Sequence, residues 1–182
     1  MHALDLLIDQ YIAGIRTPGL TEYMYLVSVL FDVTLASVIV SCLTAFLIYL
    51  FRGARCAILF LATVIAGAGI ALATKELFNV ARPTVGAVYI VIGPSFPSYH
   101  AVMATMYFGI LMYLFDDYFG SVGRIAFNTL CICGMLLVAI SRIYLGVHWL
   151  SDILGGIVLG AIVAHISILV FRWYDLDFSF TK

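Results

Sequence analysis

Apolar residues run almost unbroken through five stretches of the chain, roughly 24–51, 56–78, 98–115, 125–143 and 150–171. Each is long enough to cross a hydrocarbon core as a helix of roughly 20 residues. The pattern therefore predicts an all-α polytopic membrane protein with about five spanning helices. The third stretch is the shortest, which places its start below the membrane surface. Residues 1–17 differ: Leu4, Leu7, Ile8, Tyr11, Ile12 and Ile15 fall on one helical face, with Asp5, Asp9 and Arg16 away from it. That is the pattern of an amphipathic helix lying in the interface, closed by Pro18-Gly19. Two aspartates and the lack of a basic leader or unbroken apolar core argue against a secretory signal.

Composition agrees with a lipid solvent. Of 182 residues, 64% are hydrophobic and 10% charged, and the mean hydropathy is +1.14. These values lie outside the soluble globular range. One membrane-embedded domain is expected over 1–182, with an interfacial helix at 1–19 and a transmembrane core at 24–172. The net charge of −1 and the lack of a basic run give no sign of a nucleic-acid partner.

Basic residues orient the chain. With the N-terminal helix on one side, the 79–97 and 144–149 connections share that side, and 52–55, 116–124 and the C-terminus lie opposite. The opposite side holds Arg52, Arg55, Arg124, Arg172 and Lys182. Apart from Lys75, Arg82 and Arg142, the first side holds only Arg16, so the positive-inside rule puts the opposite side in the cytoplasm. Of the four cysteines, Cys42, Cys131 and Cys133 fall within expected spans and Cys56 near the cytoplasmic surface. Positions two apart face different ways on a helix, so Cys131 and Cys133 form no metal clip. All four read as packing residues, with no disulfide expected.

The polar residues gather at span ends on the side away from the cytoplasm. Lys75 and Arg82 are separated by six residues near the end of the second span, a spacing that can leave both on one helix face before Pro83 stops the helix. Ser98 of Pro97-Ser98-Tyr99-His100 is suited to cap the third span, whose free N–H groups form an anion site with His100 in the same turn. Ser141-Arg142 ends the fourth span and His148 starts the fifth, so that Asp152, four residues on, shares its face. A carboxylate there can hold one imidazole N–H and leave the other ring nitrogen free as a base or nucleophile. Each motif alone also has a plain structural reading: snorkelling cations, a capping serine beside an interfacial histidine, a His–Asp bond.

Taken together, K-x6-R-P, P-S-x-H and S-R-x5-H-x3-D resemble, in order and spacing, the signature of the type 2 phosphatidic acid phosphatase superfamily, which includes membrane lipid phosphatases and soluble vanadium haloperoxidases. The resemblance is close over roughly residues 75–152. It implies that His148 is a nucleophile forming a phosphohistidine, that Asp152 orients it, and that His100 is the general acid. It further implies that Lys75, Arg82, Ser98, Arg142 and the Tyr99 backbone N–H hold the phosphoryl oxygens, with no metal or other cofactor. Charge spread over the oxygens of a phosphoryl group in transfer is what such cations and a helix N-terminus stabilise.

Two features depart from the family pattern. Tyr99 stands where the family usually has Gly, which alters the room beside the phosphate but keeps the backbone N–H. Related lipid phosphatases commonly have six spans, and here the interfacial helix stands in place of the first. Elsewhere, Asp32 inside the first span either pairs with a polar neighbour or lines the substrate's way in, and His165, deep in the fifth span, reads as a packed or hydrogen-bonded structural residue. Gly156 and Gly160, and the small residues of 66–73, read as helix contacts. The apolar 84–96 connection, with Val85, Val88, Tyr89, Ile90, Val91 and Ile92, is expected to frame with the 1–17 helix a lateral route for a lipid.

The resemblance thus points to a metal-independent phosphatase of a prokaryotic plasma or inner membrane. Its partners are the bilayer and a lipid phosphate or pyrophosphate. The substrate classes are polyprenyl pyrophosphate, placed first, then phosphatidylglycerophosphate and phosphatidic acid. A phosphotransferase using a hydroxyl acceptor and a silent lipid-binding or translocating protein are the alternatives, and neither the headgroup nor the oligomeric state is written in the residues.

Overall fold

In the computed structural model, which describes residues 3–32, 35–83 and 86–174, seven helices follow one another. They are α1 (Ala3–Gly14), α2 (Pro18–Val29), α3 (Leu35–Arg52), α4 (Ala54–Phe78), α5 (Tyr99–Leu114), α6 (Ser121–Tyr144) and α7 (Leu150–Trp173). No strand occurs among the described residues. Helices α3, α4, α6 and α7 have the length and hydropathy to cross a membrane. Helix α5 is shorter, with 16 residues, or about 24 Å, against a hydrocarbon thickness of about 30 Å. Val85 and Lys182 lie outside the described residues.

Helix α5 is the axis of the bundle. Every residue from His100 to Tyr107 is buried, so this helix is apolar all round because it meets protein all round. It packs against α7, α6 and α4, while α3 lies on α4 and α2 on α6. The tightest contact is with α7. A Cβ added to Gly156 would come 2.8 Å from the Ser98 carbonyl oxygen, and one added to Gly160 would come 2.5 Å from that of Val102. The small residues let two backbones touch where lipid offers no hydrophobic force to press helices together. Helix α4 meets α5 along Phe60, Gly67, Ala71 and Lys75, a row of buried positions that carries Lys75 on the face turned into the bundle.

Three expectations change. The stretch 24–51 is not one span. Helix α2 ends at Val29 and α3 begins at Leu35, with Asp32 in the turn between. The two helices pack on different neighbours, so a straight rod through 24–51 would satisfy only one of them, and hydropathy cannot register the break. At its other end, α4 stops at Asn79, not at Pro83: Asn79 takes the left-handed conformation (φ 45°, ψ 44°) and its N–H bonds back to the Lys75 carbonyl, an ending for which asparagine is suited. Arg82 therefore stands beyond the helix and does not share its face with Lys75. His148 likewise precedes α7 instead of starting it.

Helix α1 is amphipathic with its polar face inward. Leu4, Leu7 and Tyr11 are exposed, whereas Asp5 and Asp9 are buried. Asp5 accepts from the Ser151 N–H and hydroxyl at 3.3 and 3.2 Å, so the helix clips the start of α7. Pro18 does not close α1 but opens α2, behind Thr17 as N-cap. His165 lies on the exposed side of α7 and is not a packed residue. Cys131 is buried and Cys133 exposed, as their spacing requires.

The Gly160 contact yields a test of the packing. Gly160→Ala should lower the thermal midpoint in detergent, by a destabilisation of about 1–3 kcal/mol, because backbone must move. Gly69, which has nothing within 4 Å of an added Cβ, should accept alanine without loss.

Candidate active site

Four chain segments converge at one end of α5: the last turn of α4 with the residues after it, the 86–98 connection, the end of α6, and the 145–149 loop leading into α7. The α5–α7 contact sets their register, since the Ser98 N–H donates to the Asp152 carbonyl at 3.0 Å. Val88 N–H donates to the Leu145 carbonyl at 3.0 Å and Ser95 N–H to that of Val80 at 2.7 Å, which fastens the long connection to both neighbours. Gly146 makes the turn between Arg142 and His148. Its φ is +69°, and a Cβ there would lie 2.7 Å from the Arg16 guanidinium and 3.0 Å from the Gly86 carbonyl oxygen, so both conformation and space require glycine.

His148 is buried and held at both nitrogens. Its Nδ1 lies 3.2 Å from Asp152 Oδ2, and its Nε2 lies 3.2 Å from Arg82 Nη1. A guanidinium only donates, so Nε2 is the acceptor and Nδ1 carries the proton given to the carboxylate. That tautomer presents a lone pair on Nε2. Asp152 Oδ2 also accepts from the Trp149 N–H at 2.8 Å and from the Ser95 hydroxyl. Burial, then the charges of Arg82, Arg142 and Lys75, hold the His148 imidazole well below its ordinary pKa, with a Ser95 hydrogen bond opposing them. The ring is thus neutral at pH 7.

Around it the cations are fixed by carbonyls. Lys75 Nζ donates to the Pro94 and Ser95 carbonyls at 2.9 and 3.1 Å, leaving one of three donors for a ligand. Arg82 donates from Nε to the Gly93 carbonyl at 3.0 Å and from Nη1 to that of Val147 at 2.9 Å. Arg142 is buried, with Nη1 donating to the Tyr89 hydroxyl at 2.9 Å. Several buried groups have no partner: Ser98 Oγ, Arg142 Nε and both ring nitrogens of His100. Unsatisfied donors are costly and uncommon in a folded interior. Collected with the free N–H groups of the first turn of α5, they describe a place for an oxyanion. Ser98 occupies the N-cap position but makes no side-chain cap bond, so its hydroxyl is spared for that purpose.

These side chains line a cavity of about 530 Å³ whose wall includes Asp32, Lys75, Arg82, Tyr99, His100, Arg142 and His148. All the residues anticipated from the motifs meet here or, for Ser98 and Asp152, directly behind it. A second cavity, about 570 Å³ and apolar, lies between α3, α4 and α5. Half-buried Tyr99 belongs to the walls of both. In the long connection Ile90 and Ile92 are almost fully exposed, while Tyr89 and Val91 pack on Tyr144, Leu145 and Val147. Helix α1 lines neither cavity; the α2–α3 turn contributes Asp32 to the first and Leu30 and Phe31 to the second.

Motif reading missed Ser95, Tyr89, Trp149 and Arg16. Trp149 Nε1 donates to the Ala81 carbonyl at 2.9 Å, tying the His148 loop to the Arg82 segment. Arg16 Nε donates to the Tyr144 carbonyl at 2.7 Å and Nη1 to that of Gly86. A polar residue in so apolar a connection was the available signal for Ser95 and Tyr89. The partners of Arg16 and Trp149 are remote in sequence and left none.

The PAP2 superfamily profile matches residues 54–175. The chain belongs to that superfamily. A phosphatidylglycerophosphatase B of Bacillus subtilis (strain 168) is 35% identical over 71 residues, covering 38% of this chain and 35% of the relative. The match thus spans about a third of that relative's length. Two crystal structures share the fold: a transmembrane PAP2-type phosphatidylglycerolphosphate phosphatase from Bacillus subtilis (TM-score 0.84, 23% identity, 99% of this chain and 88% of that one), and LpxE of Aquifex aeolicus (TM-score 0.74, 20% identity, 92% and 96%).

Two outcomes follow from the geometry. In nitrogen-15 spectra of histidine-labelled protein, the signal lost in His148→Gln should show a neutral, Nδ1-protonated ring that stays neutral as the pH falls below about 6.5; protonation near that value would contradict the site electrostatics. Ser95→Ala, which removes a hydrogen bond to a buried carboxylate, should lower kcat by about tenfold, or about 1.4 kcal/mol, with little change in KM.

Proposed function

We propose that this chain is a membrane phosphatase acting on lipid phosphates by double displacement through a phosphohistidine at His148. The observation that carries the reading is the Nε2 lone pair of a neutral, buried imidazole beside a set of unpartnered donors. In the first step Nε2 attacks phosphorus, the bond to the lipid oxygen breaks, and His100 supplies the proton to the leaving oxygen. Arg82 must pass from Nε2 to the phosphoryl oxygens as substrate enters, joining Lys75, Arg142, Ser98 and the first-turn N–H groups. Asp152 stabilises the charge that develops on the His148 ring. Water then attacks the phosphohistidine, and His100 takes its proton.

The apolar cavity that shares Tyr99 with the polar one gives a lipid chain a place while its headgroup is at His148, and the exposed Ile90 and Ile92 suit a connection resting in lipid. Charge placement supports a site facing away from the cytoplasm. Similarity to a phosphatidylglycerophosphatase and to a phosphatidylglycerolphosphate phosphatase favours a glycerophospholipid phosphomonoester over the polyprenyl pyrophosphate placed first by motif resemblance. Purified protein with EDTA present should release inorganic phosphate from phosphatidylglycerophosphate faster than from a polyprenyl pyrophosphate, and His148→Ala should reduce release to below about a thousandth. Loss of activity with EDTA, or full activity in the variant, would overturn the reading.

A further inference from the structure

Asp32, in the turn between α2 and α3, has so far been given no part in the chemistry, although it stands on the wall of the phosphate cavity. Its Oδ1 lies 3.9 Å from His100 Nε2. We propose that Asp32 is a positioning carboxylate for His100, and that the pair equips the site for phosphomonoesters whose leaving group is an alkoxide. This rests on the phosphatase reading above and specifies its substrate class.

The environment of His100 is what makes a carboxylate necessary. Its side chain is 5% exposed and makes no hydrogen bond. The charged groups around the cavity are Lys75 and Glu76 from α4, Arg82 from the segment after it, Arg142 from α6 and His148 from the loop before α7, with the phenols of Tyr89 and Tyr99. Asp152 is engaged by His148, Ser95 and Trp149. Three nearby cations disfavour an imidazolium, yet a general acid must hold a proton. Of the carboxylates, Asp32 is the one the structure pairs with His100. At 3.9 Å the attraction is coulombic and not a hydrogen bond, and it favours the protonated ring. The Asp32 side chain is 44% exposed.

The need for that proton depends on the leaving group. When the P–O bond of an alkyl ester breaks, an alkoxide departs and must take a proton from His100. When a pyrophosphate bond or an aryl ester breaks, the leaving phosphate or phenolate is already a weak base and needs little help. In the second step the water that attacks phosphorus returns a proton to His100, so the ring is restored.

The test uses the full chain in detergent, with Asp32→Asn and Asp32→Glu beside the wild type. Phosphatidylglycerophosphate serves as alkyl ester and p-nitrophenyl phosphate as aryl ester. Asp32→Asn should lower kcat on the alkyl ester by about tenfold or more and on the aryl ester by less than about threefold. KM should stay within about twofold, and the alkaline limb of kcat/KM should move to lower pH. Asp32→Glu should restore most of the loss. The aryl ester reports that the variant is folded. Equal losses on both esters, an unmoved alkaline limb, or no loss on the alkyl ester would overturn the role of Asp32. Wild-type protein that hydrolyses neither ester would instead overturn the phosphatase reading beneath it.

Discussion

The contact between α5 and α7 is the constraint on which the rest depends. With glycine at 156 and 160, the two backbones approach until a methyl group no longer fits between them. In lipid no hydrophobic force presses helices together, so such closeness has to be built from small residues and van der Waals contact. The consequence is chemical. The N–H at the start of α5 reaches the first-turn carbonyl of α7, which puts Ser98 and His100 beside Asp152 and the loop that carries His148. A larger residue at 160 would part the start of α5 from the loop that carries His148.

Around that axis the polar groups are held by backbone and not by one another. Lys75 and Arg82 spend most of their donors on the carbonyls of residues 93–95 and 147, and Arg142 leans on the Tyr89 hydroxyl. Three cations are thereby kept close together, where mutual repulsion would otherwise drive them apart. Burial first, and the same cations after it, hold the His148 ring well below its ordinary pKa.

The N-terminal helix has a part the bundle would not predict. Its aspartates turn inward, Asp5 onto the first turn of α7 and Asp9 towards Arg16, while its leucines face lipid. Arg16 then joins Tyr144 and Gly86 across the glycine turn at 146. The helix thus braces the His148 loop from behind without lining the cavity. The turn between α2 and α3 takes the place expected of it, and brings Asp32 to His100.

The members of the polar cluster were legible in the chain because ionisable residues are costly in lipid and stand out against an apolar sequence. Lys75, Arg82, Ser98, His100, Arg142, His148 and Asp152 were all found by that logic, and all gather around one cavity. Hydropathy likewise marked α4, α6 and α7, since the cost of exposing backbone to hydrocarbon is written residue by residue. What tertiary structure decided were the matters that depend on distant neighbours. Residues 24–51 are predominantly apolar, and Asp32 alone does not show that Leu30–Asp32 form a turn; the separate packing of α2 on α6 and α3 on α4 does. Asn79 ends α4 before Pro83 because the chain must bend towards Val147. Leucines on one face and aspartates on the other fit a helix turned either way, and only the position of Ser151 settles that the aspartates face in. Residue chemistry is local and readable; which residue meets which is a property of the packed whole.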